Sequence, residues 1–351
     1  MLQTVPDGVL AAAVMDVDPA NTAAMSVTYR IRQRFSYTYD GPAWQLVHRL
    51  VVVPPRRHGD QTLRAYHLAV SDPAATVTWE RTVDGARAAL VRLDTVPARL
   101  DFDVTVALAR TAGAGPPQLP ASALTGRRLL TPTPLTAPDA TMIAAARTLA
   151  VPDPLETALR CCSWVYRRIE YAGGSTDVTT TAAQALAGGR GVCQDHAHVL
   201  LALCRAAGVP ARYVSGHMIG ESTSHAWAEV IVPEAAARAL HGRAAGRDDV
   251  LTSSGVDAWT HGDEGANLDG AGACAVALDP CHDRLVDRRY VTVATGRDYK
   301  EVAPTSGSYC GPGRGTLTTR QRVDVIGVDD VPGVGEGTTP GAGLANGGIR
   351  Q

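Results

Sequence analysis

G-G-R-G-V-C-Q-D-H-A-H-V-L-L-A-L-C-R-A-A-G, from Gly188 to Gly208, is the stretch whose reading decides the fold. Glycines lead into Cys193, and from Val199 to Cys204 every residue is apolar, with Arg205 the one interruption before Ala206. A helix apolar nearly all round is a buried one. Gly208 and Pro210 stop it where a C-cap belongs. Its polar residues, Gln194, Asp195, His196 and His198, crowd the beginning, so a buried rod presents one wet end with Cys193 on it.

That position has chemical consequences. An ordinary thiol with a pKa of about 8.5 is only a few per cent thiolate at neutral pH. Free N–H groups and partial positive charge at a helix start favour the nucleophilic thiolate and offer donors to an oxyanion. Gly189 and Gly191 are expected to let a substrate approach the backbone. A cysteine there is equally readable as a small buried apolar side chain.

A nucleophile needs a base. Val209 to Ile219 reads as a strand, Gly220 to Ser224 as a turn, and His225 opens the strand H-A-W-A-E-V-I-V. Alternation puts His225, Trp227 and Glu229 on one face. A third apolar run, Ala273 to Leu278, ends in Asp279-Pro280, and a carboxylate there would orient His225 as the third member of a triad does.

G-V-C-Q-D-H-A-H, then S-H-A-W-A-E-V, then L-D-P, in that order, resemble the transglutaminase-like superfamily of cysteine enzymes. Val293 to Tyr309 (V-A-T-G-R-D-Y-K-E-V-A-P-T-S-G-S-Y) is similar to the stretch that follows the core in its bacterial branch. The resemblance covers Leu155 to Tyr309. It implies a papain-like α+β core, a helix packed on an antiparallel sheet, with Cys193 as nucleophile, His225 as base and Asp279 as orienting partner. It also implies a β-rich N-terminal domain. Four departures stand out: His196 where relatives often carry a bulky apolar residue, no tryptophan before the aspartate strand, Cys281 where threonine is common, and an insertion between Pro233 and Gly272.

At 351 residues the chain has room for two domains. A net charge of −2 offers no footprint for nucleic acid or an acidic membrane, and no apolar run is long enough to span a bilayer. Seven cysteines, an odd number with no disulfide-framework spacing, and an acidic first segment without Lys or Arg lead to the expectation of a cytoplasmic protein. Residues 1–24 read as a disordered extension, with Met1 and Met25 both open as native starts.

From Ser26 the pattern alternates: Val27, Tyr29, Ile31, Phe35, Tyr37 and Tyr39 share one face. Five or so further short strands follow as far as Leu108, so residues 25–110 are expected to form an antiparallel β-sandwich. Residues 111–140, rich in Pro, Thr, Ala and Gly, read as a linker. The catalytic core is expected over 141–328 with the insertion at 233–272. Thr141 to Leu149 and Thr181 to Ala187 read as short helices. Between them a helix is signalled by Asp153 as N-cap, Pro154 and Glu156 as capping-box partner. Thr316 to Val328 alternates and is expected to complete the core sheet; residues 329–351 read as a disordered tail.

Cys193, His196, His198, Cys204, His217, His225, Cys281 and His282 are a supply of ligands without paired metal-site spacing, so no metal or cofactor is expected. Tyr171, Gln194 and Trp227 are pocket or oxyanion candidates. His196 and His198 are expected at the rim or in solvent, Glu229 to be solvated, and Asp195 to cap the helix. The expected reaction is acyl transfer through a thioester on a peptide or protein substrate, most readily hydrolytic. The alternatives are protein-glutamine transamidation, a non-catalytic binding module on the same fold and a zinc scaffold. Oligomeric state is left open.

Overall fold

The computed structural model describes residues 12–238 and 272–329. Two sheets make the β-sandwich. Its strands are β1 (Ser26–Tyr39), β2 (Ala43–Val53), β3 (Arg57–His58), β4 (Gln61–Val70), β5 (Thr76–Arg81), β6 (Arg87–Val96) and β7 (Arg99–Thr111). Alternation does here what period two requires: Val27, Tyr29, Ile31 and Phe35 of β1, with Phe102 of the neighbouring β7, face Leu46 and Leu50 of β2 across the core.

The chain then crosses to the second domain through β8 (Gln118–Leu119) and α1 (Arg127–Leu130). This segment is no free linker. Strand β8 pairs with the core sheet, and Leu129 is buried against Ile231, Ala273 and Ala275. Next come α2 (Ala140–Leu149), α3 (Pro154–Tyr166), β9 (Glu170–Tyr171), α4 (Ala182–Gly188), β10 (Arg190–Gly191) and α5 (Cys193–Ala206). Asp153 caps α3 as expected, accepting from the N–H groups of Leu155 and Glu156. Glu156 completes no capping box; it pairs with Arg160 one turn on. The capping box belongs to α4, between Thr181 and Gln184.

Helix α5 is the rod around which the core is built. It packs on β11 (Ala211–Met218) and β12 (His225–Pro233) on one side and against α2, α3 and α4 on the other. Gln194 through Arg205 are all buried. Truncating a leucine here, such as Leu200→Ala, removes about 2–5 kcal/mol by cavity formation. Arg205, the one charge within the apolar stretch, has a structural reason. Its guanidinium donates to the carbonyls of Leu129, Ala211 and Arg297 and to the Thr136 hydroxyl, tying the crossing segment to the helix end.

The core sheet continues with β13 (Ala273–Asp279), β14 (Arg284–Leu285) and β15 (Tyr290–Gly296), in the order β14-β13-β12-β11-β15. After α6 (Tyr299–Val302) the chain departs from the sequence expectation. Strands β16 (Thr305–Cys310) and β17 (Gly315–Asp329) return to the sandwich, β16 on β2 and β17 along the whole of β1. The reason is in the burial. The central core strands are covered on both faces and buried at nearly every position, whereas β17 is a long edge strand, close to β1 in length, in which only Asp324 and Val325 are buried. Alternation reports a half-buried strand without naming its sheet.

Residues 12–24 also differ from the expected disorder. The Arg288 guanidinium holds the carbonyls of Thr22 and Ala24, and the Met15 N–H donates to Val325. The expected tail beyond 329, the first eleven residues, and positions 239–271 of the insertion lie outside the described residues. The two domains are locked together: the Gln61 amide bonds both the N–H and the carbonyl of Thr292, and Val291 is part of the sandwich core.

Candidate active site

Cys193 is the first residue of α5, partly open to solvent, and its Sγ lies 3.9 Å from the Ser224 carbonyl. Ser224 precedes His225, so the turn before β12 carries the imidazole up to the sulfur. Nε2 of His225 lies 2.9 Å from Oδ2 of Asp279 at the end of β13, which leaves Nδ1 as the nitrogen for Cys193. Burial works against a charged ring at His225. The hydrogen bonds to Asp279 and to Cys193, and their charges, outweigh it and push the imidazole up to about 9. Cys193, His225 and Asp279, drawn from three elements, are thus brought together.

Asp279 is wholly buried and heavily bonded. Oδ2 meets Nε2 of His225, Nδ1 of His282 at 2.7 Å and the Tyr290 hydroxyl, which donates at 2.7 Å; Oδ1 accepts the Cys281 N–H at 2.8 Å. Burial alone would raise such a carboxyl. The bonds from His225, His282 and Tyr290 instead hold it well below the usual carboxylate range. Sequence reading missed Tyr290 as a partner and had His282 only as a loose ligand candidate. The D-P-C-H turn, which puts His282 three residues past Asp279, was the one available signal.

The secondary candidates fall into different places. Trp227 is fully buried, its ring 6.1 Å from that of His225 and 5.4 Å edge-on to Tyr290, so it forms the wall behind the His225 imidazole. Tyr171 stands at the rim, 56% exposed; burial, followed by the charges of Cys193, Cys281 and Glu221, raises its phenol. The Gln194 amide is directed at the Asp177 carbonyl, 3.5 Å away, and ties down the loop beside the helix start.

Several expectations are corrected. Gly191 makes room for a side chain of its own chain: a Cβ there would sit 2.7 Å from Cβ of Asp195, whose carboxylate folds back to accept the Val192 N–H and the Thr176 hydroxyl. Gly189 is the left-handed C-cap of α4. Asp195 therefore caps the start of α5, as read. His196 is neither at the rim nor solvated; it is buried between the carbonyls of Val192 and Ile169. His198 is buried too, accepts the Tyr299 N–H, and is lowered by burial to about 4. Glu229 is 2% exposed, paired to His58 at 2.6 Å and to Arg212, with no bond to His225. A partner supplied from the sandwich cannot be read from β12 alone.

Among the described residues, His225, Asp279 and His282 place three donor atoms within 4.8 Å of one another, the one group with metal-ligand geometry. Sequence spacing concealed it because His225 and Asp279 meet only through the sheet.

The comparisons agree with this architecture. The transglutaminase-like superfamily model matches residues 141–236, and the bacterial transglutaminase-like N-terminal region matches 29–108. The core match stops before Asp279, whose placement rests on geometry. An uncharacterized protein of Mycobacterium tuberculosis is 30% identical over 313 residues, 83% of this chain and 83% of its own. A Mycobacterium leprae relative, 30% identical over 161 residues, is matched over 47% of its length and 46% of this chain. The crystal structure of a candidate cysteine protease from Cytophaga hutchinsonii superposes with a TM-score of 0.60 at 20% identity, over 88% of this chain and 93% of that one, and so shares the fold. With both family models matching in order, and a relative aligned over most of both lengths, the chain belongs to the transglutaminase-like superfamily.

Proposed function

We propose that the protein is a cysteine-nucleophile acyl-transfer enzyme that hydrolyses a peptide or amide bond through a thioester on Cys193. The observation that carries this reading is the continuous relay from Asp279 through His225 to a sulfur at a helix start. Superfamily membership supports a cysteine-dependent enzyme in general terms.

In the proposed cycle the imidazolium of His225 pairs with the Cys193 thiolate. The sulfur attacks the carbonyl carbon, and the N–H groups at the very start of α5, those of Cys193 and Gln194, which precede the helix ladder, take the oxyanion. The C–N bond breaks as His225 passes its proton to the leaving amine. Neutral His225 then takes a proton from water as hydroxide adds to the thioester, the C–S bond breaks, and the acid leaves with the Cys193 thiolate again paired to the His225 imidazolium. Asp279 keeps the ring oriented throughout. Hydrolysis is favoured over transamidation by the openness of the mouth, where Cys193 is partly exposed and His282 is 37% exposed in its side chain, so water reaches the thioester.

Incubation with a peptide library, acid quench and intact-mass spectrometry tests the proposal. The expected result is an acyl adduct mapping to Cys193 that decays to free acid, and that decays no faster when a primary amine is added. An adduct resolved mainly by the amine would establish transamidation. No adduct on any cysteine would leave the binding-module reading.

A further inference from the structure

We propose that His225, Asp279 and His282 form an inhibitory site for a borderline transition-metal dication, Zn2+ foremost. The donor set is two imidazole nitrogens and one carboxylate oxygen, the combination that open zinc sites use with a fourth position left to water. Nε2 of His225, Oδ2 of Asp279 and Nδ1 of His282 all lie within 4.8 Å of one another, and both nitrogens already converge on the one oxygen at 2.9 and 2.7 Å. Zinc bonds of about 2.0–2.2 Å require the rings to part from the carboxylate and turn so that the two nitrogens and the oxygen surround the ion.

The surroundings suit a metal. Tyr290 and the Cys281 N–H hold the carboxylate in place, as outer groups around metal sites do. Access comes from one side: His225 and Asp279 are buried, and His282 opens to solvent. On binding, the protons on Nε2 of His225 and Nδ1 of His282 pass to water and the two lone pairs go to the metal. His225 then no longer bonds Asp279, so the relay to Cys193 is broken although the sulfur is not a ligand. This sets the site apart from direct capture of the nucleophile, because Cys193 addresses the opposite ring nitrogen.

Binding of the ion does not depend on the acyl-transfer reading, and the test separates the two. Zn2+ is titrated into the full-length protein in competition with a chromophoric chelator, using the wild type, Cys193→Ala and His282→Ala, with thermal unfolding to check each fold. The wild type and Cys193→Ala are expected to bind one zinc with the same affinity, and His282→Ala to weaken it at least about tenfold. Unchanged affinity in His282→Ala, or loss in Cys193→Ala, overturns the proposal. X-ray absorption of zinc-loaded Cys193→Ala gives a second reading should His282→Ala fail to fold: two imidazoles and no sulfur support the site, and a zinc–sulfur shell contradicts it.

Discussion

Strand β12 carries two histidine–carboxylate pairs on one face, and they are built for opposite ends. At its start His225 bonds Asp279, and the other side of the buried ring looks onto Cys193, which is partly open to solvent. Four residues on, Glu229 is sealed between His58 of the sandwich and Arg212 of β11. In the first pair the carboxylate is saturated and the imidazole turns its other nitrogen to Cys193. In the second the carboxylate is enclosed by the Arg212 guanidinium and the His58 ring and touches nothing that reacts. An imidazole nitrogen turned to a nucleophile is what proton transfer needs; a closed, hydrogen-bonded carboxylate joining two domains is what assembly needs.

Removing Asp279 should show the largest effect. Asp279→Asn is expected to lower kcat/KM by about 10⁴-fold, the scale found when a triad carboxylate becomes an amide. A loss under tenfold would put Asp279 outside the relay. Glu229→Gln should do the reverse. It leaves the buried Arg212 with a neutral partner in place of Glu229 and only the longer 3.8 Å pairing to Asp84, and is expected to cost about 3 kcal/mol of stability, read by denaturant unfolding, with turnover per folded molecule nearly unchanged. If turnover falls as far as in Asp279→Asn, the contrast between the pairs collapses.

The pairs also differ in the direction of their pH dependence. His225 is raised to about 9, so its contribution to stability is complete below its ordinary value near 6.5 and is lost as pH rises through about 9. The alkaline limb of kcat/KM should fall in the same range. Burial pushes Glu229 up, but His58 and Arg212 outweigh it and bring it down to about 2, so its contribution is present above roughly 4.3 and is lost as pH falls through about 2. Unfolding titrations of wild type and Glu229→Gln should therefore converge only in strong acid. The smallest effect is expected at the wall: Trp227→Phe keeps a ring behind His225 and should change kcat/KM less than about tenfold.

The legible parts were those a single element carries in its own residues. The apolar run after Cys193 announced a buried helix, Asp153-Pro154 announced the start of α3, and His225 and Asp279 were readable as strand-end residues. What could not be read was where an element goes. The faces of β17 are visible in its alternation, but its pairing with β1 is a long-range choice. Glu229 looked like a solvated strand residue because His58, its partner, lies in the other domain. His196 looked polar and therefore exposed, although two carbonyls were waiting for it inside. Tyr290 joined Asp279 only once β15 had found the sheet edge.

Pairwise alkylation tests the relay most directly. Cys193 sits beside His225, and Cys310 is an exposed thiol on the sandwich, so each molecule carries its own control. With iodoacetamide at pH 6 and peptide mapping, Cys193 is predicted to be modified at least about tenfold faster than Cys310, and that advantage should shrink in Asp279→Asn. Equal rates at the two sulfurs in the wild type would contradict an activated nucleophile.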